Sequence, residues 1–165
     1  MSFRNRCVVA GANGPINLSV PIEGGRNSKL PMKEVRIRNQ ERWQTNHWRT
    51  IFSAYNRSPW FEHFAAELEE LYTRRFNFLV DWNMACFGWT ADKMAINTPV
   101  SLSEVFIKNY PEDEYLDWRG RYIPAMIHNL DEEAPAYRQV FEERHGFIPN
   151  LSVLDFLFCH GQVRT

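Results

Sequence analysis

The sequence predicts an α+β domain, with a small, mostly antiparallel sheet from the first forty residues packed against a helical majority. Three observations carry that reading. Up to about Arg38, apolar residues alternate with polar ones, the period of a half-buried strand. From Trp43 onward they recur three and four apart, as along one face of a helix. The length of 165 residues suits one domain, since domains commonly run about 100–200 residues, so 1–165 is read as a single unit.

Phe3 to Val9 has extended chemistry, and Ala10 to Pro15 supplies a turn centred on Asn13-Gly14. Ile16, Leu18, Val20 and Ile22 then share one face of a second strand. Pro21 cannot donate to a ladder and belongs at an edge or strand end. After a loop opened by Gly24-Gly25, Lys33 to Arg38 forms an expected third strand, with Val35 and Ile37 opposite Arg36 and Arg38.

The first helix is expected from about Glu41 to Tyr55, placing Trp43, His47, Ile51 and Tyr55 on one stripe. Ser58 as N-cap and Pro59 at the first helical position open a second, which buries Phe61, Phe64, Leu68 and Leu71 and reaches about Tyr72. A third, about Asn77 to Trp89, carries Phe78, Leu79, Trp82 and Phe87 and stops near Gly88. Ala95 to Val100 has the composition of a short strand. Pro111 to Glu114 and Asp131 to Glu133 read as exposed acidic loops. Pro135 opens a helix ending at His145, with Gly146 as its C′ residue. Ser152 to Asp155 has the capping-box form, and Gly161 closes the last helix.

Composition excludes several classes. Cys7, Cys86 and Cys159 are scattered without a CxxC, so neither a zinc module nor a disulfide framework is indicated, and a reducing cytoplasm is the simplest setting. No apolar run approaches the roughly 20 residues of a membrane helix, and no hydrophobic signal region follows Met1. Residues 1–60 hold ten Lys/Arg against three Asp/Glu, whereas 61–165 hold nine against seventeen. That asymmetry fits an anion-binding N-terminal part, or two halves that attract one another. A dedicated nucleic-acid surface is disfavoured by the pI near 6.5.

The ordered set of motifs resembles the WbqC-like family, bacterial proteins often associated with surface-polysaccharide biosynthesis. It comprises Phe3-Arg-Asn-Arg6 with the Ala10 to Gly14 turn, Leu18 to Pro21, Glu34 to Ile37, and Trp43 with His47-Trp48-Arg49. Tyr55, Ser58-Pro59, Tyr137 with Gln139 to Phe141, His145 to Ser152 and Leu154 to Phe156 complete it. The resemblance implies a cytoplasmic protein of lipopolysaccharide O-antigen-type biosynthesis. Its partner would be a small anionic sugar, nucleotide- or phosphate-linked, and its reaction a group transfer such as acylation or aminoacylation. Relatives usually begin with a further segment ahead of the Arg-Asn-Arg strand, so that leading segment is expected to be missing here.

Arg4 and Arg6 leave the same face of a strand, as do Arg36 and Arg38. Four guanidiniums on one sheet face would line a groove for phosphate or carboxylate; an ordinary solvated face is the other reading. Asn5 points to the opposite side from its neighbours and is counted with the substrate contacts. His47 is either a general acid or base within apolar surroundings, or a core histidine bonded to backbone. Tyr137 and Gln139 are candidate contacts to a sugar or nucleotide from a helix surface. Asp155 is most simply a capping carboxylate.

Metal ligation lacks any histidine pair at helical spacing. Gly11 to Gly14 lacks the Lys-Ser/Thr ending of a P-loop, and neither GxSxG nor GxGxxG occurs. No cofactor is expected. The rival function is a non-catalytic scaffold whose basic N-terminal third engages an acidic partner.

Overall fold

Arg6–Val9 (β1) and Ile16–Ser19 (β2) pair antiparallel, with Arg6 opposite Ser19 and Val9 opposite Ile16. The expected turn joins them. Gly14 donates to the Gly11 carbonyl at 3.1 Å and holds φ at 110°, a left-handed value that favours glycine. Beyond the paired strands the ladder runs one step further, because Val20 N–H donates to Asn5 O at 2.8 Å. The computed structural model describes residues 3–24, 30–119 and 136–162. Asp131 to Glu133, Pro135 and most of the loop after Gly24 lie outside them.

The expected third strand is not one. Met32–Glu34 is a single 3-10 turn, and the extended residues after it make isolated bridges, Ile22 with Ile37 and Arg36 with Phe78. Ile37 donates to Asn77 O and Arg38 to Pro21 O, each at 2.9 Å. This segment is wedged between the hairpin and the chain ahead of the third helix, so Val35 and Ile37 are buried without a continuous ladder.

Four longer helices follow the expected order, although their ends differ. In α1, Trp43–Tyr55, the buried residues are Trp43, His47, Ile51 and Tyr55, the stripe read from the sequence. The second helix, α2, is Phe61–Thr73 and buries Phe61, Phe64, Leu68, Leu71 and Tyr72. Ser58 does not cap it; its hydroxyl donates to Tyr55 O at 2.6 Å, closing α1 instead. The third, α3, is Leu79–Lys93 and runs straight through Gly88, with Leu79 and Trp82 buried and Phe87 exposed.

No strand forms at Ala95 to Val100. The helix expected up to His145 is reduced to one turn, α4 (Glu142–His145), so Tyr137 and Gln139 lie in irregular chain before it. The last helix, α5, is Val153–His160, with Ser152 Oγ accepting from Leu154 N–H as expected of the cap. At its end Gly161 has φ 83° and sits under Trp60, where a Cβ would lie 2.7 Å from ring carbons.

One core joins these parts. Val9 and Leu18 from the hairpin, Ile51 and Tyr55 from α1, Phe64 from α2, Leu79 from α3 and Phe158 from α5 belong to the same buried cluster. Each large side chain of this kind contributes about 1.5–3 kcal/mol by leaving water. Hydrogen bonds tie the C-terminal part to the hairpin, among them Ser152 N–H to Val8 O at 2.6 Å, His145 Nε2 to Ala12 O at 2.8 Å and Arg144 Nη2 to Asn13 Oδ1 at 3.5 Å. Among the described residues no helix is long and apolar enough to cross a membrane.

Candidate functional site

A cavity of about 250 Å³ opens beside the start of β1. Arg4, Asn5, Arg6 and Cys7 line it, with Leu18 of β2 and Val20 just after it. His47 enters from α1, and Leu68, Leu71 and Tyr72 from α2. The inner face of α3 adds Trp82, Asn83, Cys86, Trp89 and Thr90, and the start of α5 adds Ser152, Val153 and Leu154. Two arginines, one histidine and a largely apolar wall therefore meet at a single opening.

His47 is held there by its helix and by two rings. Trp43, one turn earlier, meets it edge-on with centroids 5.2 Å apart, and Tyr72 does so at 6.2 Å. Its Nε2 lies 3.2 Å from the carbonyl of Ser19, which can only accept, so Nε2 carries the proton of the neutral ring. Nδ1 is then the acceptor. Burial lowers the imidazole pKa below its ordinary value, the Ser19 hydrogen bond opposing it, so the ring is uncharged at neutral pH.

Burial also pushes the Cys7 thiol up to about 11, against a hydrogen bond with Ser152, and the Cys86 thiol up to about 12. Tyr72 is raised well above its usual range for the same reason. At neutral pH these groups keep their protons, and the thiols behave as small hydrophobes. The formal charges among the described residues lining the cavity are those of Arg4 and Arg6.

Much of the polar lining is engaged with backbone. The expected strand begins only at Arg6: Phe3 to Asn5 is a turn, with Arg6 N–H donating to Phe3 O at 3.3 Å, so Arg4 and Arg6 do not share a strand face. Asn5 lines the same cavity, its Nδ2 donating to Val20 O at 2.9 Å. Asn83 Nδ2 donates to Arg4 O at 2.8 Å, anchoring the arginine segment to α3. The Arg6 guanidinium sits over the Phe3 ring, 5.7 Å from its centroid.

The other sequence-selected residues lie elsewhere. Arg36 is over the Phe78 ring at 4.6 Å, beside Glu23, Lys33 and Glu34. Arg38 pairs with Glu41 at 3.3 Å. Neither lines the cavity with Arg4 and Arg6, so the single four-arginine groove does not form; Arg36 and Arg38 lack the continuous strand that would have aligned them with β1. Gln139 is buried and exchanges two 2.8 Å hydrogen bonds with the backbone of Ile148. Tyr137 packs edge-on against Phe147, Phe156 and His160 and borders a separate, open depression with Arg57 and Pro59.

Asp155 departs from the expected capping-box role. Fully buried, it accepts the Tyr55 hydroxyl on Oδ1 at 2.7 Å, while the Ser152 N–H it would have capped goes to Val8. Sequence reasoning missed Cys7, Tyr72, Asn83, Cys86 and Trp89 as cavity residues. One signal was present: Trp82, Cys86 and Trp89 stand at i, i+4 and i+7 along one face of α3. Among the described residues no group of three or more His, Cys, Asp or Glu has the arrangement to hold a metal ion.

A family model described as the WbqC-like protein family matches residues 1–118. That span contains every residue of the cavity except the three from the start of α5. No match to the chain was found among curated proteins or solved structures.

Proposed function

This chain belongs to the WbqC-like protein family, and we propose that it serves surface-polysaccharide biosynthesis by binding a phosphate- or nucleotide-linked sugar and transferring an acyl or aminoacyl group. The observation that carries the proposal is the meeting of Arg4, Arg6 and the neutral His47 on one cavity. Guanidiniums recognise phosphate and carboxylate with paired, charge-assisted hydrogen bonds. An uncharged imidazole with Nδ1 as acceptor is in the form a general base needs.

In the transfer step Nδ1 of His47 takes the proton of an attacking sugar hydroxyl or amine. The new ester or amide bond forms at the acyl carbon, and the bond to the donor's leaving group breaks with its electron pair. A base of lowered pKa is weaker but is mostly unprotonated at neutral pH, which favours its use there. The domain acting here is taken to be the whole chain, since α5 contributes to both the core and the cavity wall.

The test is a thermal-shift screen of sugar phosphates and nucleotide sugars against wild type, Arg4→Ala and Arg38→Ala. The expected result is a dose-dependent rise in Tm for wild type and Arg38→Ala, lost in Arg4→Ala. Equal shifts in all three proteins, or none in any, would remove the anion site.

A further inference from the structure

We infer that the cavity encloses the apolar body of a small amphipathic anion, an acyl or aryl group of about eight non-hydrogen atoms, with its carboxylate end at Arg4 and Arg6. The ring of an acceptor sugar would sit at the mouth, presenting only its attacking hydroxyl or amine inward to His47. This rests on the reading of the cavity as the binding site and names the chemical class it takes.

Volume sets the size. About 250 Å³, at roughly 30 Å³ for each water-sized group, admits some eight non-hydrogen atoms. The lining sets the character. Leu18, Val20, Leu68, Leu71, Trp82 and Leu154 present carbon, and Cys7 and Cys86 hold protonated thiols beside them.

The polar groups decide against a sugar inside. Each hydroxyl of a buried ring needs a partner, because an unmade hydrogen bond there costs about 1–3 kcal/mol. Asn5 Nδ2 is engaged with Val20, Asn83 Nδ2 with Arg4, His47 Nε2 with Ser19, and Ser152 Oγ with Leu154. Thr90, the Tyr72 hydroxyl and the unpartnered Trp89 Nε1 remain, too few for all the hydroxyls of a buried sugar ring but compatible with one anionic head. The two arginines come from one short stretch of chain, so positive charge is confined to one side of the cavity and carbon to the rest.

Trp82 and Trp89 line the cavity, so their fluorescence reports occupancy directly. The experiment titrates the full chain with propionate, butyrate and hexanoate, with hexan-1-ol and glucose 1-phosphate as controls. Affinity is expected to rise about fourfold per added methylene up to hexanoate, the increment of burying one CH₂. Decanoate, too long for the space, should gain nothing further. Hexan-1-ol and the Arg4→Ala protein with hexanoate should each be at least about tenfold weaker, the loss of a charge-assisted contact. Cys86→Phe, filling the cavity from α3, should abolish hexanoate binding with its circular dichroism unchanged. If that variant does not fold, the chain-length series on wild type still decides.

A flat series, hexan-1-ol binding as well as hexanoate, or undiminished binding to folded Cys86→Phe would overturn the inference. Glucose 1-phosphate binding through Arg4 without any hexanoate binding would overturn it and leave the broader anion-site reading standing. Failure of every probe would end both.

Discussion

The hydroxyl of Tyr55 donates to Oδ1 of Asp155 at 2.7 Å while accepting the backbone N–H of Ala10 at 2.8 Å. One phenol thus joins the middle of the chain to its last helix and to the residue that leaves β1. Removing that oxygen strands a buried acceptor and a buried donor together. Tyr55→Phe is expected to cost roughly 2–6 kcal/mol, about 1–3 for each of the two groups left unpaired. A urea titration should show a lower midpoint with an unchanged slope. An unchanged midpoint would mean that the two groups find other partners.

Asp155 should make the fold acid-favouring over part of the pH range. Burial raises its carboxyl pKa above the ordinary value, with the Tyr55 and Tyr137 hydroxyls pulling the other way. The folded state therefore holds the proton more tightly than the unfolded chain, whose value is about 3.9. The stabilisation is complete below that value and is lost as pH rises through the folded one. Asp155→Asn should flatten this dependence and gain on wild type as pH climbs from about 4 toward neutrality. Parallel stability curves for the two proteins would count against a raised carboxyl.

His47 works in the opposite sense. Its folded pKa is lowered by burial, so below about 6.5 the unfolded chain binds the extra proton first. The associated stability is fully present above 6.5 and declines as pH falls toward the folded value. Nitrogen-detected NMR should find Nε2 protonated and Nδ1 bare at pH 6.5, with the second proton arriving only at lower pH. Half-protonation at or above 6.5 would contradict the described environment.

Gly161 is predicted to be intolerant of even a methyl group. Its φ of 83° with ψ of −164° is open almost only to glycine, and the added carbon would press on Trp60. Strain of this backbone kind costs about 1–3 kcal/mol, and the ring contact adds to it. Gly161→Ala should lower Tm, and Trp60→Ala should recover part of the loss in a double-mutant cycle. Fully additive effects would show that the ring contact is not the source.

The helices were more legible than the sheet. Trp43, His47, Ile51 and Tyr55 stand at four-residue intervals, and a helix that buries one stripe leaves that signature whatever it packs against. The same alternation that marks a strand also appears in Val35 to Ile37, yet there it records only burial on one side. The backbone of that segment bonds to Pro21 and Glu23 and also to Asn77 and Leu79, two separate stretches of chain, which no local pattern encodes. Ser58-Pro59 has the chemistry of a helix start, but its hydroxyl is spent on the helix behind it. Gly88 did not end α3 because Trp82 and Trp89 on either side keep the inner face packed.

For the candidate site, the Arg-Asn-Arg run and His47 were visible because charge and titratable rings stand out in an apolar setting. Their meeting on one cavity was not, since it depends on how β1 lies against α1 and α3. The separation of Arg36 and Arg38 from Arg4 and Arg6 has the same origin. Strand periodicity places neighbours two apart on one face but says nothing about two distant segments.

Ser152, Val153 and Leu154 complete a cavity that Arg4 to Cys7 also line, Ser152 bonding to the strand beside Cys7. During synthesis Arg4 and Arg6 emerge well before α5, so the chamber stays open-sided until α5 has been made. A nascent chain stalled at residue 118 would already carry the whole family-matching span, yet have no finished place for a ligand to dock.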